Sequence, residues 1–267
     1  MQDTFIQFPD PSSANIDGLL AMGGDLRPDT LVRAYTQGIF PWFNDDQPIL
    51  WWSPDPRLVL YPSQFKVTRS LLKSIRNGGF TVTANTCFNR VLDACASRGL
   101  SATATDIVPA SIESDDFYLD QDGKVQMDPT TWITEDMHAA YRELHALGIA
   151  HSVEVWHEQQ LVGGLYGVKL GQIFYGESMF SVVSNTSKVA SAYLCAWARS
   201  ADIHFIDCQI HSNHLASLGA IEIPREEFLR ELKTHTSAPE SDGTRKLNIA
   251  FGQLTPEKVT ENVIKKS

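Results

Sequence analysis

An α+β fold is predicted by three features of this 267-residue sequence. A helical stripe from Thr134 to Leu147 is followed by three strand-like runs, Ser152 to Trp156, Leu161 to Val168 and Gln172 to Phe180, separated by short polar turns. The helical period returns over Asn185 to Arg199, and a fourth strand follows at His204 to Ile210. A helix of about a dozen residues is long enough to bring that last strand parallel to the third. The expected sheet is therefore mixed, an antiparallel meander with one parallel strand beside it.

Each element has its own grounds. Met137, Ala140, Tyr141, Leu144 and Leu147 form one apolar stripe, with Thr134 as N-cap and Gly148 just past the end. In the later helix Val189, Tyr193, Ala196 and Trp197 face inward. Near the start, Pro28 suits the first position of a short helix carrying Leu31, Ala34 and Tyr35, and Gly38 suits its end. Two aromatic runs punctuated by proline follow, Ile39 to Phe43 and Ile49 to Arg57, and close a small N-terminal α/β domain at residues 1–56. Residues 57–232 form the second domain. It opens with a helix at Val67 to Arg76, whose Leu71, Leu72 and Ile75 point to a core while Arg69, Lys73 and Arg76 share an outer face. It also contains an insertion, residues 99–130, without clear periodicity. Residues 233–267 form a C-terminal tail that includes Leu247 to Phe251 and a helix opened by Thr255 and Pro256. The order helix, three antiparallel strands, helix, strand is also that of the acetyltransferase-like (GNAT-type) fold, by analogy of order alone.

Composition narrows the function classes. The chain is 43% hydrophobic, with neither a charged leader and apolar run at its start nor about 18 consecutive apolar residues anywhere, so a soluble cytoplasmic protein without membrane contact is expected. Cys87, Cys95, Cys195 and Cys208 contain no C-x-x-C pair and read as reduced thiols. The net charge of -10 opposes nucleic-acid binding at first sight. Yet Arg57 to Arg98 carries seven basic residues against one acid, and Gly99 to Thr130 seven acids against one lysine. A basic patch on an acidic protein is consistent with that distribution.

Several side chains stand out. Asp207 and Gln209 lie at the carboxyl end of the parallel strand, where ligands gather in open sheets, and alternation puts them on one face. They suit either the orientation of a proton-bearing nucleophile or the capping of neighbouring backbone. Glu177 interrupts an apolar strand, where a carboxylate needs a partner or an edge facing water. Trp42 and Trp132 stand at segment boundaries, where they can serve as core or as platforms for a base. The Arg69, Lys73 and Arg76 face is either solvated surface or a phosphate contact. G-x-S-x-G, G-x-x-x-x-G-K-[ST] and H-E-x-x-H motifs are absent, and Cys208, His211 and His214 lack the paired spacing of a zinc site. Neither metal nor cofactor is expected.

Longer strings carry a resemblance. They are NIDGLLAMGGDL at Asn15 to Leu26, GIFPWF at Gly38 to Phe43, PILWWSPDPR at Pro48 to Arg57 and HSVEVW at His151 to Trp156. LVGGLYGV at Leu161 to Val168, GESMFS at Gly176 to Ser181, IDCQ at Ile206 to Gln209, and HLASLGA through IPR at His214 to Arg225 complete the set. In these the sequence resembles the bacterial leucyl/phenylalanyl-tRNA-protein transferase family, from about Phe8 to Leu232. The stretch 99–130 is longer than the connection expected in that family.

The resemblance implies an acetyltransferase-like domain that does not use acetyl-CoA. Its donor is aminoacyl-tRNA bearing leucine, phenylalanine or methionine, and its acceptors are proteins beginning with Arg or Lys, which are thereby marked for degradation. Trp42 and Trp132 would hold the terminal adenosine, Glu177, Asp207 and Gln209 would line the reaction centre, and Arg69, Lys73 and Arg76 would meet the acceptor stem. An acyl-CoA N-acyltransferase would share the strand order, but Ser181 to Ser184 offers no Gly-rich loop for pyrophosphate. A noncatalytic tRNA- or peptide-binding module would leave the IDCQ and GESMFS strings without a purpose. For the transfer, an amine of pKa roughly 7.7–8.0 is already about a tenth neutral at pH 7, so full deprotonation gains only about 1.4 kcal/mol. Orientation supplies roughly 7–11 kcal/mol in the best cases, so Asp207 and Gln209 read chiefly as positioning groups.

Overall fold

The computed structural model describes residues 6–96, 117–119, 125–127, 133–236 and 254–264. Strand β1 (Leu19–Met22) precedes helix α1 (Pro28–Thr36), in which Pro28 occupies the first turn, where its missing N–H costs nothing. Beyond the helix the chain turns at Gly38, whose φ of +78° a side chain would resist. Strands β2 (Phe40–Pro41) and β3 (Leu50–Trp52) complete a three-stranded antiparallel sheet with the order β1-β3-β2. Trp51 is buried at its centre and donates its indole N–H to the carbonyl of Gly23 at 2.8 Å.

The chain then enters a second sheet through β4 (Arg57–Leu60) and continues with α2 (Arg69–Asn77), β5 (Thr81–Ala84) and α3 (Phe88–Ala96). A hairpin of β6 (Phe117–Leu119) and β7 (Val125–Met127) pairs antiparallel inside the acidic stretch, where no regular structure is expected from the sequence. Helix α4 (Glu135–Ala146) follows, capped by the Thr134 side chain. Next come β8 (Ala150–His157), β9 (Gln160–Leu170) and β10 (Ile173–Ser181), the anticipated meander. Helix α5 (Thr186–Ser200) crosses to β11 (Phe205–Gln209), which pairs parallel to β10 with Tyr175 opposite Asp207. Helix α6 (Asn213–Ser217), β12 (Ile221–Ile223), α7 (Arg225–His235) and α8 (Pro256–Ile264) complete the described elements.

The large sheet has seven strands in the order β12-β4-β11-β10-β9-β8-β5 and is mixed, so the expected α+β class holds. Strands β4, β5 and β12 extend it beyond the four strands legible in the sequence. Alternation divides the core into two layers. Tyr166, Val168, Tyr175 and Phe205 pack with α1, α3 and α4 on one side. Leu165, Phe174 and Ile206 pack with α2 and the almost wholly buried α5 on the other. At Gly163 a Cβ would lie 2.3 Å from the Thr186 hydroxyl, so α5 starts closer to β9 than any side chain would permit. Val259 and Val263 of α8 are buried in the α5 layer, which gives the tail helix a docking place. Among the described residues no helix is long and apolar enough to cross a membrane. Trp132, most of residues 99–130 and the run Leu247 to Phe251 lie outside the described residues.

Candidate active site

Glu177 lies on an interior strand of the large sheet, not on an edge facing water. The β10 register slips against β9 between Gly176 and Ser178, a bulge of the kind that re-aims a side chain. Its carboxylate meets the layer of α1 and α4. Tyr35 from α1 donates to Oε1 at 2.8 Å, Tyr141 from α4 donates to Oε2 at 2.6 Å, and the Gln209 carboxamide donates to Oε1 at 3.1 Å. The two phenolic oxygens are themselves 2.6 Å apart. Burial pushes the Glu177 carboxyl up to about 7, although the Tyr141, Tyr35 and Gln209 donors pull the other way and Asp207 adds to the rise. Burial and the adjacent Glu177 carboxylate hold both tyrosines well above the ordinary phenol range, so they remain hydroxyl donors.

Asp207, on the neighbouring strand, is fully buried and faces a charge instead. Arg57 from β4 binds it with two parallel bonds, Nε to Oδ1 at 2.8 Å and Nη2 to Oδ2 at 2.7 Å, the fork geometry that arginine offers a carboxylate. Arg57 is itself 1% exposed and lies between the Phe40 and Phe228 rings, with its central carbon 4.8 and 4.5 Å from their centroids. Its third nitrogen donates to the Gly38 carbonyl at 3.2 Å and so ties the turn after α1 to the large sheet.

Gln209 links the two carboxylates. Its backbone N–H donates to Asp207 Oδ1 at 2.9 Å while its side chain reaches Glu177. Strict alternation does not carry through here: the β11 register slips between Asp207 and Gln209, and Gln209 adopts φ +65°. A left-handed glutamine at a strand end persists only where its surroundings over-determine it, and the Asp207 carboxylate beneath its N–H is one such constraint. Between them, Cys208 is buried with its thiol pushed up by burial and by Asp207, which leaves it inert as a nucleophile.

The other expected site residues fall elsewhere. Trp42 follows β2, is 39% exposed and stands 5.6 Å from the half-buried Trp52 at a tilt of 55°, and the Trp52 indole N–H donates to the Trp42 carbonyl at 2.7 Å. Arg69, Lys73 and Arg76 are all exposed on α2, as their spacing predicts. Leu71 and Ile75 of that helix pack in the α5 layer, whereas Glu177 meets the α1 and α4 layer, so the two features are on opposite faces of the sheet. Arg57, Tyr35 and Tyr141 complete the cluster and are not singled out by the sequence. Arg57 ends an aromatic run, and the tyrosines sit on stripes that read as apolar. The available signal is that a buried tyrosine hydroxyl needs a partner.

Comparison with known proteins gives concordant matches. The family model described as leucyl/phenylalanyl-tRNA protein transferase matches residues 59–115 and 120–233, and the model for the N-terminal domain of the same proteins matches residues 24–55. The gap between the two parts of the larger match falls inside the acidic stretch. A protein named leucyl/phenylalanyl-tRNA–protein transferase from Anaeromyxobacter sp. (strain K) is 47% identical over 87% of this chain and 89% of its own. Proteins of that name from Nitrosospira multiformis and Cellvibrio japonicus are 49% identical over 81% of this chain and 82% of theirs, and 47% identical over 88% and 89%.

Proposed function

The chain belongs to the leucyl/phenylalanyl-tRNA protein transferase family, and from that premise we propose a full reaction. The protein is an aminoacyltransferase that moves leucine or phenylalanine from tRNA to proteins. We take the acceptor to be the N-terminal α-amine of proteins beginning with Arg or Lys, accept methionine as a further donor residue, and place the reaction in the cytoplasm as a mark for degradation.

One observation carries the reading: Glu177, Asp207 and Gln209 meet on adjacent strands without a competent nucleophile among them. An aminoacyl ester is already activated, so transfer to an amine needs orientation more than covalent catalysis. Asp207, clamped by Arg57 on both oxygens, acts by fixing Gln209, and Gln209 aligns the reacting groups. The exposed Trp42, backed by the half-buried Trp52, supports stacking of the terminal adenosine at Trp42, with Trp132 as second platform. The exposed cations of α2 support phosphate contacts that position the acceptor stem without reading its sequence. The overall charge of -10 favours a cationic acceptor terminus. We keep the division near residue 56, with the first unit contributing Tyr35, the Gly38 carbonyl and Trp42, and the second unit the remaining site residues.

The deciding experiment supplies labelled phenylalanyl-tRNA with Arg-, Lys- and Ala-ended peptides, and labelled acyl-CoA in parallel. Label is expected in the Arg and Lys peptides from tRNA alone. Label from acyl-CoA would favour a CoA-dependent acyltransferase, and binding without transfer a recognition module. Changing Arg69, Lys73 and Arg76 together to Glu is expected to weaken tRNA affinity and flatten its dependence on salt, while equal slopes would remove α2 from the contact.

A further inference from the structure

We propose that Glu177, Tyr35 and Tyr141 form a closed hydrogen-bond ring that accepts the proton lost by the attacking amine, so that Glu177, and not Asp207, is the proton acceptor of the reaction. This rests on the reading that transfer takes place at the Glu177 and Gln209 cluster.

The argument is a count of protons. The ring has three oxygen–oxygen contacts, all at hydrogen-bond length: Glu177 Oε1 to Tyr35 at 2.8 Å, Tyr35 to Tyr141 at 2.6 Å, and Tyr141 to Glu177 Oε2 at 2.6 Å. With Glu177 ionised, the two phenols supply two protons for three contacts. If both serve the carboxylate, the tyrosine oxygens face each other at 2.6 Å with no proton between them. With Glu177 protonated there are three protons, one for each contact, and every donor and acceptor is used. The geometry is that of a ring with room for one more proton than its ionised form holds. The rise of the Glu177 carboxyl to about 7 under burial puts that uptake within reach of neutral solution.

Access and competition point the same way. Tyr35 and Tyr141 are sealed from solvent, whereas Glu177 and Gln209 are buried residues that each retain 9% exposure, so of the ring's members Glu177 lies nearest the outside. Asp207 has no exposed surface, and its oxygens accept from Arg57 Nε, Arg57 Nη2 and the Gln209 N–H. Among the described residues, the other titratable or charged groups around the ring are Tyr166 of β9, which adjoins both ring phenols, Tyr175 of β10, whose ring lies 5.0 Å from that of Tyr35 and whose hydroxyl donates to the Tyr35 carbonyl at 3.1 Å, and the Asp207–Arg57 pair of β11 and β4, whose carboxylate raises Glu177.

The step balances. The neutral amine attacks the ester carbonyl and a C–N bond forms, while the nitrogen passes a proton to the ionised ring. The bond from carbon to the terminal ribose oxygen then breaks, and the ring proton goes to that oxygen. The ring ends ionised, with no net gain or loss of protons.

Two measurements test this. Protein with carbon-13 in its glutamate carboxyls is followed by NMR from about pH 5 to 9, and the resonance missing from Glu177→Gln is expected to titrate near neutrality. Single-turnover transfer is measured over the same range with acceptor peptides whose α-amines differ in pKa. One inflection should stay near neutrality whatever the acceptor and vanish in Glu177→Gln, with a rate loss on the order of 10²–10⁴-fold. Tyr35→Phe and Tyr141→Phe each remove a donor to the carboxylate and should move both resonance and inflection to higher pH, which keeps the test open if Glu177→Gln misfolds. A flat resonance, an acceptor-independent inflection that survives Glu177→Gln, or unshifted tyrosine variants overturn the ring. Absence of transfer by wild-type protein whose resonance does titrate overturns the functional reading instead, and with it the ring's role in this reaction.

Discussion

Asp207 and Glu177 are buried carboxylates on adjacent strands, joined through the backbone and side chain of the same glutamine, and their surroundings are opposite. Asp207 meets a cation that matches both its oxygens, so charge compensates for lost hydration. Glu177 meets three neutral donors, which only partly offset burial and leave it titrating at about 7. One carboxylate is held in an ion pair and the other is placed among neutral donors where it can change state. The partner placed opposite each sets this difference: a cation for Asp207 and neutral donors for Glu177.

The largest expected effect breaks the Asp207 side of this contrast. Arg57→Met strands a carboxylate with no exposed surface and should destabilise the protein by about 3–5 kcal/mol in urea unfolding. Adding Asp207→Leu should recover much of that loss, because an apolar pair no longer holds an unpaired charge. Glu177→Gln should cost about 1 kcal/mol or less near neutrality, since the amide still accepts from a tyrosine and carries no charge to strand. If Arg57→Met is no worse than Glu177→Gln, the two sites do not differ as their geometry says.

A second effect, of roughly 3 kcal/mol, sharpens the Glu177 side. Its carboxyl rises from an ordinary 4.5 to about 7 on folding, so between those values the native state holds a proton that the unfolded chain has released. The stabilising contribution is complete below about pH 4.5 and is lost as pH rises through about 7. At roughly 1.36 kcal/mol per pH unit, the stability of wild type relative to Glu177→Gln should fall by about 3 kcal/mol across that window. A difference that stays level over the window would mean that Glu177 keeps one protonation state.

The same contrast explains which features were legible in the sequence. The meander, α4, α5 and the parallel β11 are long enough to display a period, and they lie where the periods place them. Strands β4, β5 and β12 have three or four residues each, too few for alternation to register, and β4 pairs with partners far along the chain. In the site, the family-matching strings lead to Glu177, Asp207 and Gln209. The groups that decide their chemistry escape: Arg57 stands 150 residues from Asp207, and Tyr35 stands 142 from Glu177. Periodicity assigned both tyrosines to the core, which is correct for their rings and silent about their hydroxyls. Alternation likewise gave Asp207 and Gln209 a common face, whereas a bulge and a left-handed backbone are what join them.

The smallest effect is the coupling between the two tyrosines, and it asks whether the third proton is present. At about pH 5 the ring is protonated, each phenol bonds to the other as well as to Glu177, and removing either hydroxyl opens the whole circuit. Tyr35→Phe and Tyr141→Phe should then each cost about 1 kcal/mol, and the double variant should cost less than their sum by about 0.5–1 kcal/mol, since one opening already spends the shared bond. At about pH 9 the two phenols donate separately to an ionised carboxylate and no proton lies between them. The coupling should shrink to nothing or reverse sign, because deleting one hydroxyl then relieves a close approach of two oxygens. A double-mutant cycle by urea unfolding at both pH values measures the difference directly. Equal coupling at the two values would mean that the ring holds the same protons throughout, and the contrast between an ion-paired carboxylate and a switching one would fail at the atoms where it is most specific.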